Sequence, residues 1–264
     1  MADNVIAIIQ ARCSSERLPG KVMMNLCGYP MIWHIFQRAS SCKNVDKVVV
    51  VTSEDASDDR LSSFCMNNNI EVFRGDLTNV LSRFTGVIKK YKCDYFVRIT
   101  GDCPLIHPQF IDKQIEALKF FNADFIRLSK SSAVLEGQLV QSSLSLLKAE
   151  KEIEKLSDLE HVGSQYFAVN INKFRVVKFS VPKAMSRNDL KITVDEEEDY
   201  LMMSKLYDEL YSGVPICLIE AMEWLNLNPS VASMNSNVRD SKINEEISNR
   251  NKSSYVDFCG QVNW

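Results

Sequence analysis

The chain has 264 residues and a formal net charge of −3, with 45% hydrophobic and 25% charged residues. This balance is ordinary for a globular protein with a substantial core, and it excludes the broad positive charge of a general nucleic-acid-binding protein. The sequence has no apolar run of membrane-spanning length, and its first residues are unlike a secretory signal. We therefore expect a cytoplasmic protein without nucleic-acid or membrane partners.

The first half of the chain alternates apolar, strand-like runs with segments of helical periodicity. The predicted strands are residues 5–11, 46–52, 70–73 and 94–100, and the predicted helices are residues 30–40, 57–67 and 78–91. This alternation indicates an α/β fold, in which helices flank a mostly parallel sheet. Because ligands bind beyond the carboxyl ends of such strands, the loops after Ala11, Phe73 and Thr100 are expected to line one crevice.

The second half is less regular and mixes shorter strands with helices. The predicted helices are residues 108–121, 142–155, 196–211 and 218–227, the predicted strands are residues 124–128, 133–141 and 174–181, and residues 191–194 are extended. The chain then becomes polar, which predicts one domain over residues 1–228 and a surface-wrapping or mobile tail over residues 229–264. The apolar residues near the end of this tail are expected to dock on the body or on a partner.

The eight cysteines are spread along the chain, and no two form a C-x-x-C pair. Disulfides are uncommon in the cytoplasm, and zinc sites generally use paired cysteines. We therefore expect reduced and mostly buried thiols rather than a disulfide framework or a zinc site.

The loop after the first strand, residues 10–21, has the sequence QARCSSERLPGK and the features of a polyphosphate site. Positively charged side chains for phosphate oxygens alternate there with small residues that let backbone amides approach an anion. These residues are Arg12, Ser14, Ser15, Arg17 and Lys21. The lysine lacks the spacing of a Walker loop, so this segment, hereafter the phosphate loop, is not a simple ATPase signal.

Two aspartates that follow extended segments are candidate Mg²⁺ ligands. Asp102 comes after the predicted strand 94–100, and Asp195 comes after the extended residues 191–194. Mg²⁺ in nucleotide sites takes one or two carboxylates together with phosphate oxygens and water. Either aspartate also suits a structural role, Asp102 in a turn and Asp195 as the cap of a helix with an acidic first turn.

Read in order, the motifs resemble the cytidylyltransferase family of the spore coat polysaccharide biosynthesis type. They are more distantly similar to the 3-deoxy-manno-octulosonate and acylneuraminate cytidylyltransferases. The matching segments are QARCSSERLPGK at 10–21, FRG at 73–75, VLSR at 80–83, RITGDCPL at 98–105, EHV at 160–162 and TVDEEED at 193–199. The resemblance covers about residues 4–211, and its first and fourth segments are long and specific.

The resemblance implies a Rossmann-like sheet of the nucleotide-diphosphosugar transferase type, with a small α+β region in the second half for dimerisation or the acceptor. It implies a Mg²⁺-dependent enzyme that transfers CMP from CTP to a sugar or sugar acid for a surface glycan and releases pyrophosphate. It also implies a homodimer. The acceptor itself is not named by any motif.

The resemblance also implies roles for individual residues. Lys21 and Arg12 would be catalytic, and Asp102 and Asp195 would bind Mg²⁺. The implied nucleotide-binding residues are Ala11, Arg12, Ser14, Ser15, Arg17, Lys21, Arg74, Gly75, Arg83, Thr100 and Asp102. No general base is evident. His161 is the nearest candidate, but a lone histidine in a helix is more often structural, and it is left out of the catalytic set.

The segment 134–141 departs from the family, because two acidic positions common among relatives are missing there. If this segment faces the acceptor, the acceptor differs from the usual one. Two alternatives therefore stay open. One is a phosphorylated acceptor that gives a CDP-linked product, and the other is a nucleotide-binding relative without catalysis.

Overall fold

The computed structural model describes residues 3–130, 132–236 and 258–262. Within them the strands are β1 (Val5–Gln10), β2 (Asn25–Leu26), β3 (Tyr29–Pro30), β4 (Lys47–Ser53), β5 (Glu71–Gly75), β6 (Tyr95–Thr100), β7 (Phe125–Leu128), β8 (Gln138–Ser142), β9 (Val176–Phe179) and β10 (Phe258–Val262). The helices are α1 (Met31–Ser40), α2 (Asp59–Asn67), α3 (Val80–Tyr91), α4 (Pro108–Phe121), α5 (Ser143–Ala149), α6 (Leu156–Glu160), α7 (Ser164–Val169), α8 (Glu197–Leu210), α9 (Leu218–Leu227) and α10 (Pro229–Ala232). None of these described helices has the length and apolar character needed to cross a membrane.

Eight strands form one sheet in the order β10-β9-β7-β8-β6-β1-β4-β5, and β2 and β3 form a separate pair. β1 pairs in parallel with both β4 and β6, and β4 pairs in parallel with β5. The predicted mostly parallel sheet with flanking helices is therefore confirmed. β8 is the exception, since it runs antiparallel to its neighbours β6 and β7.

Both faces of the sheet are buried, which explains why β1 is apolar along nearly its whole length. Val5, Ala7 and Ile9 belong to one core cluster, which includes buried residues of α1, α4, α8 and α9. Ile6 and Ile8 belong to a second cluster on the other face, with buried residues of α3 and α5. Successive side chains of a strand point to opposite faces, so a strand covered on both sides needs a continuous apolar run.

The predicted strand over residues 133–141 is shorter in the structure and begins at Gln138. Residues Ala133–Leu135 form a single 3₁₀ turn, and Gly137 follows with a φ of +66°. This left-handed conformation is incompatible with an extended strand. The Gly137 carbonyl accepts a hydrogen bond from the Thr100 amide over 3.0 Å, so the turn lies against the end of β6.

Two other predicted elements of the second half are also wrong in detail. The predicted helix over residues 142–155 ends at Ala149, and Ile153 lies in the second core cluster after a turn. Residues 191–194 all lie in the described part of the chain, and none of them joins a strand. The Val194 amide instead donates a hydrogen bond to the loop after β6.

The beginning and the end of the predicted tail both contact the body. The buried Asn235 donates hydrogen bonds to the Lys191 carbonyl over 2.9 Å and to Asp199 Oδ1 over 2.8 Å. β10 pairs in parallel with β9 and adds an edge strand to the central sheet. Residues 237–257 and Trp264, on which the rest of the tail prediction falls, lie outside the described residues. The division into a domain and a tail stays a prediction.

All eight cysteines lie in the described residues and carry free thiols. Four of them are fully buried, namely Cys42, Cys65, Cys93 and Cys103. Burial raises the pKa of Cys42 and of Cys65 to about 12, which keeps both thiols protonated.

Replacing Gly137 with alanine is expected to destabilise the protein by about 2–4 kcal/mol. The new Cβ would overlap the Thr100 hydroxyl and lie 2.5 Å from Cys103 Sγ, in addition to straining a left-handed backbone. Gly213→Ala is the matched control, because Gly213 has a φ of +92° but no atom within 4 Å of the added Cβ. We expect it to cost only about 1–2 kcal/mol. Urea unfolding measures both, and equal losses would contradict the role given to the Thr100 contact.

Candidate active site

The loops that follow β1 and β6 lie against each other, and a glycine permits the approach. The Gly101 amide donates to the Gln10 carbonyl over 2.8 Å, at the end of β1. A Cβ on residue 101 would lie 2.8 Å from that oxygen and 3.0 Å from the Cβ of Ala11, so a larger residue would force the loops apart. Asp102 is thereby placed beside the start of the phosphate loop.

The connection that leads into α8 is the third segment of the site. The Val194 amide donates to the Asp102 carbonyl over 2.8 Å, which joins this connection to the loop after β6. Asp199, in the first turn of α8, has no exposed surface and accepts hydrogen bonds from the amides of Asp195 (2.9 Å) and Glu196 (3.0 Å). This capping arrangement fixes the backbone from which the Asp195 carboxylate projects.

Lys21 lies at the centre of the three segments, and only 8% of its surface is exposed. Its ammonium nitrogen is 3.3 Å from Asp102 Oδ2 and 3.1 Å from Asp195 Oδ1. It also donates a hydrogen bond of 2.7 Å to the Val194 carbonyl. The structure therefore brings together the lysine of the phosphate loop and the two aspartates that were predicted as metal ligands.

The Asp195 carboxylate is surrounded by cations. Burial on its own would raise the pKa of Asp195, but the charges of Lys21, Lys191 and Arg17 outweigh burial and hold the pKa below its usual value. Arg17 Nη2 lies 2.8 Å from Oδ1, and the Lys191 ammonium lies 3.3 Å from Oδ2. Asp195 is therefore ionised at neutral pH, as a metal ligand must be.

The carboxylate of Asp58, which was not among the predicted site residues, binds the backbone of the phosphate loop. It has no exposed surface, and its carboxylate accepts hydrogen bonds from the Cys13 amide over 2.6 Å and from the amide and hydroxyl of Ser53. Burial raises the pKa of Asp58, and these hydrogen bonds overcome that effect and lower it. A single carboxylate in the first turn of the predicted helix 57–67 carried no distinctive signal in the sequence.

The remaining side chains of the phosphate loop are less constrained than Lys21. Arg12 is partly exposed and pairs with Glu160 at an Nη2–Oε1 distance of 3.2 Å. Ser14 Oγ is buried and has no hydrogen-bond partner among the described residues. Ser15 is partly buried, and the amide of the buried Ala11 donates to the Val51 carbonyl over 3.1 Å. Within the described part of the chain, the loop thus offers a hydroxyl without a partner and a guanidinium that pairs with a partly exposed carboxylate.

Arg83 is almost fully buried in α3, although it was predicted to contact the nucleotide. Its Nε and Nη1 have no hydrogen-bond partner among the described residues. Burial lowers the pKa of Arg83 to about 10, which still leaves the side chain charged at neutral pH. The aliphatic part lies against Gly75, where a Cβ would approach Arg83 Cγ to 3.0 Å. A buried guanidinium with unpaired donors is costly unless another group satisfies it.

Two residues that were predicted to bind the nucleotide, Arg74 and Thr100, form contacts within the protein. Arg74 donates to the carbonyls of Ser53 (2.8 Å) and Asp55 (3.0 Å) and pairs with Asp59 at 2.7 Å. It therefore connects β5 to the start of α2. The Thr100 hydroxyl lies 3.1 Å from the thiol of Cys103. Nucleotide binding by Arg74 and Thr100 stays a prediction without support from these contacts.

At this edge of the sheet, the main-chain carbonyl of His161 takes part in a group of hydrogen bonds around Arg98. Its carbonyl and the Ser164 hydroxyl accept hydrogen bonds from Arg98 Nη1 over 2.9 and 3.1 Å. Arg98 Nη2 lies 3.3 Å from Gln10 Oε1. Burial lowers the pKa of His161, so its imidazole is neutral at pH 7. These contacts give the EHV segment a structural role, which the sequence motif did not reveal.

The site combines two carboxylates that share one ammonium with further cations in the phosphate loop. Within the described residues, no group of three or more histidine, cysteine, aspartate or glutamate side chains is arranged to hold a metal. Mg²⁺ requires fewer protein ligands than that when phosphate oxygens and water complete its shell. The two carboxylates therefore suit a metal that arrives with a polyphosphate.

Comparison with known proteins assigns the chain to a family. The cytidylyltransferase family model matches residues 6–211. The spore coat polysaccharide biosynthesis protein SpsF of Bacillus subtilis is 28% identical over 239 residues, which cover 88% of this chain and 98% of SpsF. The 3-deoxy-manno-octulosonate cytidylyltransferase of Geobacter sulfurreducens is 33% identical over 115 residues, 44% of this chain and 45% of that enzyme.

A solved structure agrees with the sequence comparison. The cytidylyltransferase of Leptospira borgpetersenii serovar Hardjo-bovis superposes with a TM-score of 0.80 at 25% sequence identity, covering 88% of this chain and 97% of that one. The family match contains Lys21, Asp102 and Asp195, the three residues that meet at the centre of the site. The chain belongs to the cytidylyltransferase family and is a nucleotidyltransferase.

Proposed function

We propose that the protein transfers CMP from CTP to a sugar or sugar acid, with Mg²⁺ as cofactor and pyrophosphate as second product. The observation that carries the proposal is the ammonium of Lys21 between the carboxylates of Asp102 and Asp195. Lys21 belongs to the phosphate loop, and the two aspartates lie beside it. The loop follows β1 at the carboxyl edge of the parallel sheet, where nucleotides bind. Surface glycan synthesis is the pathway we propose for the product.

The triphosphate would lie along the phosphate loop. Arg12, Arg17 and Lys21 are the cations of that loop, and their partners among the described residues are carboxylates and a carbonyl. The buried hydroxyl of Ser14 and the unpaired donors of Arg83 support a polar ligand, because both groups lack partners among the described residues. A phosphate, ribose or base oxygen would satisfy them.

The donor set fits Mg²⁺. Asp102 Oδ2 and Asp195 Oδ1 approach one nitrogen atom, so both oxygens can face a single cation, and carboxylate oxygens are the ligands that Mg²⁺ prefers. When bound, Mg²⁺ would neutralise part of the charge of the triphosphate. Asp199 and Lys191 would keep the Asp195 carboxylate in place from the opposite side.

In the proposed reaction, a hydroxyl oxygen of the acceptor forms a bond to the α-phosphorus as the bond to the pyrophosphate oxygen breaks, and the hydroxyl proton passes to solvent. Negative charge grows on the leaving pyrophosphate, so fixed cations lower the barrier. In this proposal, Lys21 and Arg12 would supply that charge. The protein's contribution is mainly to position the reactants and to neutralise charge.

The proposed activity is tested by incubating the purified protein with CTP, Mg²⁺ and a panel of sugars, sugar acids and sugar phosphates. We expect mass spectrometry to detect a CMP-linked product together with pyrophosphate. A CDP-linked product from a phosphorylated acceptor would replace the proposal. If CTP is bound, as followed by thermal shift, but is not consumed with any acceptor, the protein is a non-catalytic relative.

Replacing Lys21 with alanine is expected to lower turnover about 10²- to 10³-fold, because a charge at the leaving group is lost. Stability should fall by only about 1–2 kcal/mol, since Asp195 keeps its contacts with Arg17 and Lys191. Pyrophosphate release and urea unfolding measure the two effects. Lys113→Ala is the control, because that exposed lysine pairs with Glu116 on the surface of α4. A stable and fully active Lys21→Ala protein would remove the lysine from the mechanism.

Asparagine at residue 102 or at residue 195 is expected to lower turnover by about 10²-fold or more and to abolish the response to added Mg²⁺. Each change keeps the size of the side chain but removes the charge that attracts the metal. Asp189→Asn is the control, since Asp189 is exposed and pairs with Arg187. Initial rates over a Mg²⁺ titration provide the measurement. An unchanged Mg²⁺ dependence in Asp102→Asn and Asp195→Asn would exclude both residues as ligands.

A further inference from the structure

The Lys21 ammonium lies in the space that a metal bridging the two carboxylates would need. It is 3.3 Å from Asp102 Oδ2, 3.1 Å from Asp195 Oδ1 and 2.7 Å from the Val194 carbonyl. Three acceptors saturate the three N–H donors of an ammonium. With 8% of its surface exposed, the side chain is enclosed rather than mobile in solvent.

A divalent cation cannot bind both carboxylates while this ammonium stays in place. The two positive charges would have to share the same oxygens at a distance of a few ångströms, where their repulsion in a partly buried site is strong. The Asp195 carboxylate is already neutralised by Arg17 on the same oxygen as Lys21 and by Lys191 on the other. Without nucleotide, the lysine and arginine side chains of the protein therefore act as the counter-ions of the two carboxylates.

A triphosphate changes this balance. Lys21 and Arg17 both belong to the phosphate loop, and both contact Asp195 Oδ1. Phosphate oxygens carry several negative charges and compete for these two cations. Departure of Lys21 and Arg17 from the carboxylates would free Asp102 Oδ2 and Asp195 Oδ1 together. Lys191 contacts the other oxygen of Asp195 and lies outside the phosphate loop, so it can stay and hold the carboxylate.

We propose that Lys21 acts as a removable counter-ion that excludes divalent metal from the Asp102–Asp195 pair until a nucleotide draws it away. The enzyme would then take up its metal with or after the nucleotide and would bind free Mg²⁺ weakly. The identity of the nucleotide and the metal rests on the proposed function. The exclusion itself depends only on the geometry of Lys21 and the two carboxylates.

The test measures Mn²⁺ binding to the full-length, nucleotide-free protein by electron paramagnetic resonance of the free ion. We expect weak binding to the unmodified protein and binding about tenfold tighter or better to Lys21→Met, which removes the charge but keeps the length of the side chain. Arg17→Gln is the matched control. It removes a charge from the same Asp195 oxygen but leaves the space between the carboxylates filled, so the affinity should change less than about threefold.

Adding Asp102→Asn to Lys21→Met should return Mn²⁺ binding to the weak level, which places the new site at the carboxylate pair. Unchanged or weaker binding in Lys21→Met would overturn the proposal, as would equal tightening in Arg17→Gln or a site that survives the loss of Asp102. Circular dichroism melting verifies folding, and Lys21→Gln replaces Lys21→Met if that protein does not fold. Because no CTP is present, a failed transfer assay would not affect this result.

Discussion

The contact of one buried ammonium with two carboxylates constrains how the rest of the site is built. Lys21 is 81 residues from Asp102 and 174 residues from Asp195, yet it contacts both. Carboxylates are taken out of water at low cost only when cations and hydrogen bonds compensate them. The close contact at Gly101 fixes the backbone next to Asp102, and the hydrogen bond to Asp199 fixes the backbone of Asp195. Both arrangements keep a carboxylate close to the Lys21 ammonium.

The first half of the fold could be predicted because its signals are local. Residues 5–9 and 48–51 are apolar without alternation, which is typical of strands buried on both faces, and the structure places β1 and β4 there as parallel neighbours. The approximate position of the site followed from the same pattern, since Lys21 and Asp102 both come after such strands. Asp195 follows an extended segment that joins no strand of the sheet, so its candidacy as a metal ligand came from weaker evidence in the sequence and from the resemblance to the family.

Other features were beyond the sequence because they depend on partners far along the chain. The antiparallel direction of β8 is set by its pairing with β6, for example between Val97 and Val140, and not by its own residues. Asp58 and Asn235 are single polar residues whose roles come from the Cys13 amide and from Asp199. The cap of α8 is Glu196 and not Asp195, because Glu196 and Asp199 form a capping box, a local pattern that the acidic run 196–199 contains.

The edge strand β10 has a consequence for how the chain folds during synthesis. β9 pairs with β7 on one side, and its other side pairs with residues 258–262, which follow the other described strands of the sheet in chain order and are therefore synthesised after them. Until then, β9 presents free amide and carbonyl groups that other nascent chains can pair with. β10 is short, and Gly260 lies so close to the ring of Phe121 that even a methyl group would clash. β10 thus covers an edge of β9 that would otherwise be open to intermolecular pairing, and it does so at the end of the sheet that is separated by three strands from the candidate site at β6.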